Sequence, residues 1–228
     1  MSDKVHITYL FDPLCGWCYG ASEIMKQLSS RPEIELELAP TGLFSGRGAR
    51  PVDAQFAAFA WSNDLRIAAL TGRTFTEAYR ERVLGKQGSM LDSAPATLAL
   101  TAVTLTAPAA ELDALRLIQE ARYIHGLDVT ETLVLIDTLK NAGFDAAAAR
   151  LASPDEDLLE ANRGRVTTAR ALKDEFRVDG VPAVIVDDGT SRRLLGASSL
   201  FGNTDLLATL VAPRASAAAA ATRSHPNL

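Results

Sequence analysis

Cys15-Gly16-Trp17-Cys18 sits between a strand pattern and a helix pattern. Val5, Ile7 and Tyr9 alternate with more polar neighbours, which predicts a strand over 4–11. Asp12-Pro13 ends that strand and biases the chain toward a turn. From Cys15 to about Ser29 no further proline occurs, and Ala21, Ile24, Met25 and Leu28 recur at helical spacing. One helix is expected here, with both thiols in its first turn. At i, i+3 on a helix their Cα atoms lie about 5–6 Å apart, inside the window of roughly 4.4–6.8 Å that a disulfide needs. The helix N-terminus directs unpaired N–H groups at Cys15 and favours its thiolate. The pattern is that of a dithiol able to open and close without moving the backbone.

Both cysteines of the 228-residue chain stand there, so a secreted scaffold held by structural disulfides is excluded. Met1-Ser2-Asp3-Lys4 runs straight into the first strand without a basic and apolar leader pattern, which predicts a cytoplasmic protein. A leader already removed would leave the same sequence. No run of about 18 apolar residues marks a membrane span, and no membrane partner is expected. The balance of 23 Lys+Arg against 28 Asp+Glu gives a net charge of −5, which is no footprint for nucleic acid.

A second strand is expected over 34–38, where apolar and acidic residues alternate before Pro40. The Gly-rich loop over 41–51 carries Arg47 and Arg50. From about 53 to 176 nearly every signal is helical, enough for five or six helices. Thr74-Phe75-Thr76-Glu77 and Ser153-Pro154-Asp155-Glu156 read as capping boxes, the second with proline at the first helical position. Asn141-Ala142-Gly143-Phe144 reads as a glycine helix stop. After Ser153, the residues Leu159, Val166, Ala169, Leu172 and Phe176 share one helix face. Ala183-Val184-Ile185-Val186 suits a buried strand. Asp187-Asp188-Gly189-Thr190 signals a hairpin turn, from which Arg192 to Leu195 returns antiparallel. A closing helix is expected over 204–212 and a disordered Ala-rich tail over 213–228. Residues 1–51 and 177–212 therefore make one small mixed sheet, bridged by a helix over 154–176. A helical insertion domain over 52–176 packs on the sheet's active end.

A CxxC opening the first helix, a helical insertion, and Gly180-Val181-Pro182 before the third strand resemble the DsbA-like branch of the thioredoxin superfamily. More narrowly, Asp12-Pro13-Leu14-Cys15-Gly16-Trp17-Cys18-Tyr19-Gly20 is similar to the group of predicted bacterial protein-disulfide isomerases. Gln119-Glu120-Ala121-Arg122-Tyr123-Ile124-His125-Gly126-Leu127-Asp128-Val129 is similar to a segment of that group, shared with related thiol oxidoreductases and 2-hydroxychromene carboxylate isomerases. The match covers about residues 4–212. The resemblance implies an α/β, thioredoxin-like fold with a large inserted all-helical domain. It also implies roles: Cys15 as exposed nucleophile, Cys18 as buried resolving thiol, and Pro182 as a cis proline facing the dithiol. The Val181 backbone would pair with an extended substrate segment. The strongly oxidising members carry a His between the cysteines, whereas this chain has Gly16-Trp17, so their potential is not carried over.

Thiol–disulfide exchange needs a thiolate to attack, a second thiol to resolve the mixed disulfide, and access for a substrate sulfur. Trp17 offers an apolar contact beside the nucleophile, suited to unfolded or peptide substrates. A structural zinc needs four ligands; with only His6, His125 and His225 beyond the two cysteines, no metal is expected. Tyr19 after Cys18 excludes covalent haem. A metal-chaperone reading leaves the helical block and Val181-Pro182 unexplained. Gly42, Gly46 and Gly48 do not reproduce the dinucleotide fingerprint. Arg47 and Arg50 are either solvated or ligands for a glutathione carboxylate. Tyr19 and Tyr123 either line a substrate groove or pack. Asp12 and Glu23 are candidate relays for the resolving thiol's proton, His125 reads as part of a helix end before Gly126, and Asp92-Ser93-Ala94-Pro95 reads as a helix start.

The expected function is a thiol–disulfide oxidoreductase or isomerase acting on protein or peptide disulfides through Cys15 and Cys18. Trp17, Val181 and Pro182 would bind the substrate. A thiol such as glutathione or thioredoxin would serve as reductant, with glutathione the one co-substrate considered. Two alternatives stand beside it. One is a glutathione-dependent transferase or isomerase of the kappa-class type, a branch that typically has Ser where Cys15 stands. The other is a non-catalytic redox-switched binding module or holdase.

Overall fold

The computed structural model describes residues 4–86 and 88–202; the closing helix and tail expected beyond 203 lie outside the described residues. Strand β1 (Val5–Phe11) buries Ile7 and Tyr9, as its alternation requires. The single helix expected after it is two, α1 (Gly16–Gly20) and α2 (Ser22–Ser29). The ladder breaks at Ala21, between Gly20 and Ser22, where a small flexible residue and a hydroxyl residue favour a kink. Strand β2 (Ile34–Pro40) then lies parallel to β1, with Val5 opposite Ile34 and Tyr9 opposite Leu38.

The Gly-rich loop contains a 3₁₀ turn at Gly46–Gly48 and ends in a two-residue strand, β3 (Arg50–Pro51). Helix α3 (Ala54–Thr71) follows, capped by the Asp53 side chain, and then α4 (Glu77–Tyr79) running into a π turn at Arg80–Leu84. Strand β4 (Met90–Leu91) pairs antiparallel with β3. Two residues are too few to print a period-two pattern, which is why this small sheet is invisible in the sequence. The remaining block is α5 (Ala94–Thr106), α6 (Glu111–Tyr123), α7 (Thr132–Asn141), α8 (Asp145–Ala152) and α9 (Glu156–Glu175). Strand β5 (Ala183–Asp187) and strand β6 (Arg192–Leu195) form the expected hairpin, followed directly by α10 (Ala197–Gly202). The main sheet runs β2-β1-β5-β6, with β5 antiparallel to both its neighbours.

Both expected capping boxes are displaced by two residues. Thr76, not Thr74, caps α4 by accepting from the Tyr79 N–H at 3.2 Å, and its hydroxyl donates to the Ile124 carbonyl at 2.8 Å. Asp155, not Ser153, caps α9 by accepting from the Leu158 N–H at 2.8 Å. A carboxylate complements a helix N-terminus better than a hydroxyl, and Arg150 pairs with the same group at 3.0 Å. On α9 only Leu158 and Ala169 are buried outright. Between them run Asn162 and Arg165, whose partners make the seam polar. Asn162 accepts from the Thr101 hydroxyl at 2.9 Å, while Arg165 donates to the Leu38 carbonyl at 3.1 Å and pairs with Glu111.

One contiguous apolar core takes in Ile7 and Leu10 of the sheet together with Leu100, Ile118, Leu135 and Leu151 of the helices. A second, aromatic cluster joins Tyr19, Ile67, Phe75, Tyr79 and Tyr123. Among the described residues, no helix is long and apolar enough to cross a membrane, and no group of His, Cys, Asp and Glu is arranged to hold a metal. The cap assignment has a direct consequence. Asp155→Ala lowers the urea midpoint of unfolding, whereas Ser153→Ala leaves it nearly unchanged.

Candidate active site

The turn that carries the thiols is set by Asp12. Its Oδ1 accepts from the Leu14 N–H at 2.9 Å, and its carbonyl accepts from the Cys15 N–H at 3.1 Å. Its Oδ2 accepts from the Phe44 N–H at 3.1 Å and from the Ser93 hydroxyl at 2.7 Å. The carboxyl is fully buried, and burial raises its pKa above the ordinary carboxylate value although the hydrogen bonds pull it down. Ser93 thus opens α5 as expected and also reaches the site.

Cys15 is the N-cap of α1. Its thiol donates to the Val181 carbonyl at 3.4 Å, across 166 residues of chain, and the Val181–Pro182 peptide beside it is cis. Cys18 lies one turn further in. Burial, with the Cys15 sulfur hydrogen-bonded beside it, pushes the Cys18 thiol well above its ordinary pKa. Behind it the Tyr9 hydroxyl donates to the Cys18 carbonyl at 3.3 Å. Burial raises the Tyr9 pKa as well, so this phenol stays neutral.

The expectation that Cys15 is exposed is corrected: the residue is 7% exposed. The cause is α3, which lies directly on α1. A Cβ at residue 16 would stand 2.5 Å from Asp64 Oδ1, and one at residue 20 would stand 2.7 Å from Ile67 Cγ2. Glycine at both positions lets α3 approach that closely. Cys15 instead lines a cavity of about 260 Å³ roofed by α3. Tyr79 and Tyr123 lie on this cavity together with Asp64 and Arg122. The Tyr123 hydroxyl donates to the Leu14 carbonyl at 2.8 Å, and the Tyr79 hydroxyl donates to Asp64 Oδ2 at 3.1 Å. Burial pushes the Asp64 carboxyl up to about 7, against the pull of the Tyr79 hydrogen bond and the Arg122 charge.

Trp17 is half-buried and walls this cavity on one side and a larger apolar groove of about 620 Å³ on the other. The groove is lined by Val181, Pro182, Leu194 and Phe201, with the Trp17 and Phe201 rings 5.4 Å apart. The structure therefore brings Cys15, Cys18, Trp17, Val181 and Pro182 to one place. Other candidates fall elsewhere. Glu23 is exposed on α2, 3.9 Å from Arg73, and takes no part. Tyr19 packs in the aromatic cluster, stacked on Tyr123 at 4.8 Å. Arg50 reaches the mouth of the small cavity over the Phe56 ring, whereas Arg47 lines a separate cleft with Arg170. Asp64 and Tyr79 escaped the sequence reading because no motif marks them, and Arg122 stood in the 119–129 segment without a role. The one available signal was the Gly16/Gly20 spacing, which demands a close partner helix.

A paired thiol held at a helix start against a proline loop, on a sheet of this order, defines the class of thioredoxin-fold disulfide oxidoreductases. The comparison with known families narrows the class: the model of the DSBA-like thioredoxin domain matches residues 6–208, and the chain belongs to that family. None of the curated proteins matches it. Among solved structures it is similar to the cytosolic disulfide reductase DsbM from Pseudomonas aeruginosa, with TM-score 0.77 and 27% identity over 88% of this chain and 93% of that one. The same Pseudomonas aeruginosa protein with GSH gives TM-score 0.73 and 28% identity over 88% and 94%. A candidate protein disulfide isomerase from Nitrosomonas europaea shares the fold, with TM-score 0.71 and 21% identity over 90% and 97%.

Asp64 makes stability depend on pH. Its folded pKa of about 7 lies above the unfolded value of about 3.9. Its contribution is therefore complete below the unfolded value and is lost as pH rises through about 7. In urea unfolding at a series of pH values, Asp64→Asn gains on the wild type from about pH 4 to about pH 7 and levels off above that.

Proposed function

We propose that the protein reduces or isomerises disulfides of proteins and peptides, with Cys15 as nucleophile and Cys18 as resolving thiol. The observation that carries this reading is the Cys15 thiol at 3.4 Å from the Val181 carbonyl, which puts one sulfur against backbone able to pair with an extended substrate. The Cys15 thiolate attacks a substrate disulfide. One substrate sulfur leaves and takes up a proton, and a mixed disulfide remains on Cys15. Cys18 then loses its proton and attacks the Cys15 sulfur. The intramolecular disulfide forms, and the second substrate sulfur leaves as a thiol. Two electrons pass from the dithiol to the substrate.

The order of events follows from electrostatics. Charge on Cys15 is among the causes that raise the Cys18 pKa. Forming the mixed disulfide removes that charge and eases deprotonation of Cys18 at the moment it is needed. The substrate segment lies along Val181 and Pro182, with Trp17 and the apolar groove taking its side chains. A thiol such as glutathione or thioredoxin regenerates the dithiol, and a GSH-containing structure of the Pseudomonas aeruginosa relative supports the former. In a cytoplasmic setting the pair rests as the dithiol and acts as reductase or isomerase. Of the thioredoxin-like part expected over 1–51 and 177–212, the described residues 4–51 and 177–202 carry the chemistry, bridged by 154–176, and the helical insertion over 52–176 supplies the roof.

Cys15→Ser abolishes insulin reduction measured by turbidity, and Cys18→Ser accumulates mixed disulfides visible by mass spectrometry. Insulin reduction unaffected by either change would refute the assignment.

A further inference from the structure

The small cavity beside Cys15 has a composition that the exchange of peptide disulfides does not use. Its walls are largely hydrocarbon, from Leu14, Trp17, Phe44, Phe56, Ile67 and Leu84. Set among them is Arg122 of α6, a guanidinium on a residue 2% exposed. Its guanidinium carbon lies 5.4 Å and 5.7 Å from the Tyr79 and Tyr123 ring centroids. Its Nε has no hydrogen-bond partner among the described residues. A buried donor of this kind is costly unless an acceptor arrives, and a carboxylate is the acceptor that fits a guanidinium best.

Two phenols and two carboxyls face Arg122, and together they hold its pKa above the ordinary value against its own burial. On α3 there is Asp64, whose carboxyl sits against Gly16 and is only partly ionised near neutral pH. On α4 and α6, Tyr79 and Tyr123 are phenols that burial keeps neutral. Beyond α6, Asp128 is held by Lys86 at 2.8 Å, with Glu131 on the same lysine at 3.5 Å. At the mouth stands a second cation, Arg50. The cavity therefore has hydrocarbon walls, two arginines against one partly ionised carboxyl, and Cys15 on its lining. At about 260 Å³ it lies just under the usual range for small-molecule pockets, about 300–1,000 Å³. That suits one short arm of a ligand and not a peptide segment.

We propose that this cavity receives the carboxylate-tipped hydrocarbon arm of a low-molecular-weight disulfide, with Arg122 binding the carboxylate while the disulfide meets Cys15. The inference rests on the disulfide-exchange reading above and names a second substrate class for the same sulfur. The Cys15 thiolate forms a bond to the near substrate sulfur, the substrate S–S bond breaks, and the far arm leaves as a thiolate that solvent protonates. Cys18 then displaces the bound arm as a second thiol. The dithiol is oxidised to a disulfide, the substrate is reduced to two thiols, and no further reactant is needed for one turnover. A bound carboxylate also disfavours charge on Asp64, so binding takes up a proton and tightens as pH falls from 8 to 6.

The test uses the full-length reduced protein, with oxidation followed by tryptophan fluorescence. The oxidants are dithiodibutyrate and its uncharged diamide, each rate being normalised to that with free dithiothreitol. The diacid is expected to be preferred by about tenfold or more, with Arg122→Gln bringing the two to the same rate. Asp64→Asn is expected to remove the fall in preference between pH 6 and pH 8. Equal normalised rates for diacid and diamide with the wild type overturn the proposal, and that comparison needs no variant to fold. If insulin reduction persists alongside equal rates, only the cavity assignment fails. Loss of exchange with insulin and both small disulfides overturns the underlying reading as well.

Discussion

The carboxylate of Asp12 is the tie on which the site depends. It is fully buried, yet it holds donors from three separate segments: Leu14 of the cysteine turn, Phe44 of the Gly-rich loop and Ser93 at the start of α5. Burying an acid without partners is strongly unfavourable, and each of these bonds offsets part of that penalty. The arrangement also works in reverse. Because the acid has to keep its donors, the sheet, the loop and the helical block are obliged to meet at the residue three positions before Cys15.

Beside that junction lies the secluded sulfur of Cys15. Gly16 lies between the cysteines and Gly20 one turn later, and their missing side chains admit α3 onto α1 at a distance no other residue allows. The roof turns an open thiol into one reached through a cavity or along the proline loop. Trp17 divides these two approaches. A peptide running past Val181 and a short anionic arm under α3 would come to the same sulfur from opposite sides of one indole ring.

On the far side of the core, α9 is fastened by polar groups as well as by apolar packing. Arg165 pairs with Glu111 of α6, bonds the Leu38 carbonyl of β2 and reaches Thr101 of α5. A buried ion pair contributes little net stability relative to a hydrocarbon replacement. What it supplies here is direction, since only one placement of α9 satisfies all three partners. The sheet edge and the helical block are thereby held in register behind the cysteine turn.

Local pattern alone determined β1, the cysteine turn, the β5 run, the hairpin after it and the glycine stop near residue 143, because each depends on neighbours within a few residues. The four-stranded sheet was legible for the same reason: alternation and continuous apolar runs are printed along the strands. Tertiary structure decided the rest. The Thr76 hydroxyl bond to Ile124, the shielding of Cys15 and the cluster of Asp64, Tyr79 and Arg122 all turn on contacts between distant parts of the chain. Cys15 meets Val181 across 166 residues and Ser93 meets Asp12 across 81, and no window along the sequence spans such a separation. The sequence names the paired thiols, while packing decides what can reach them.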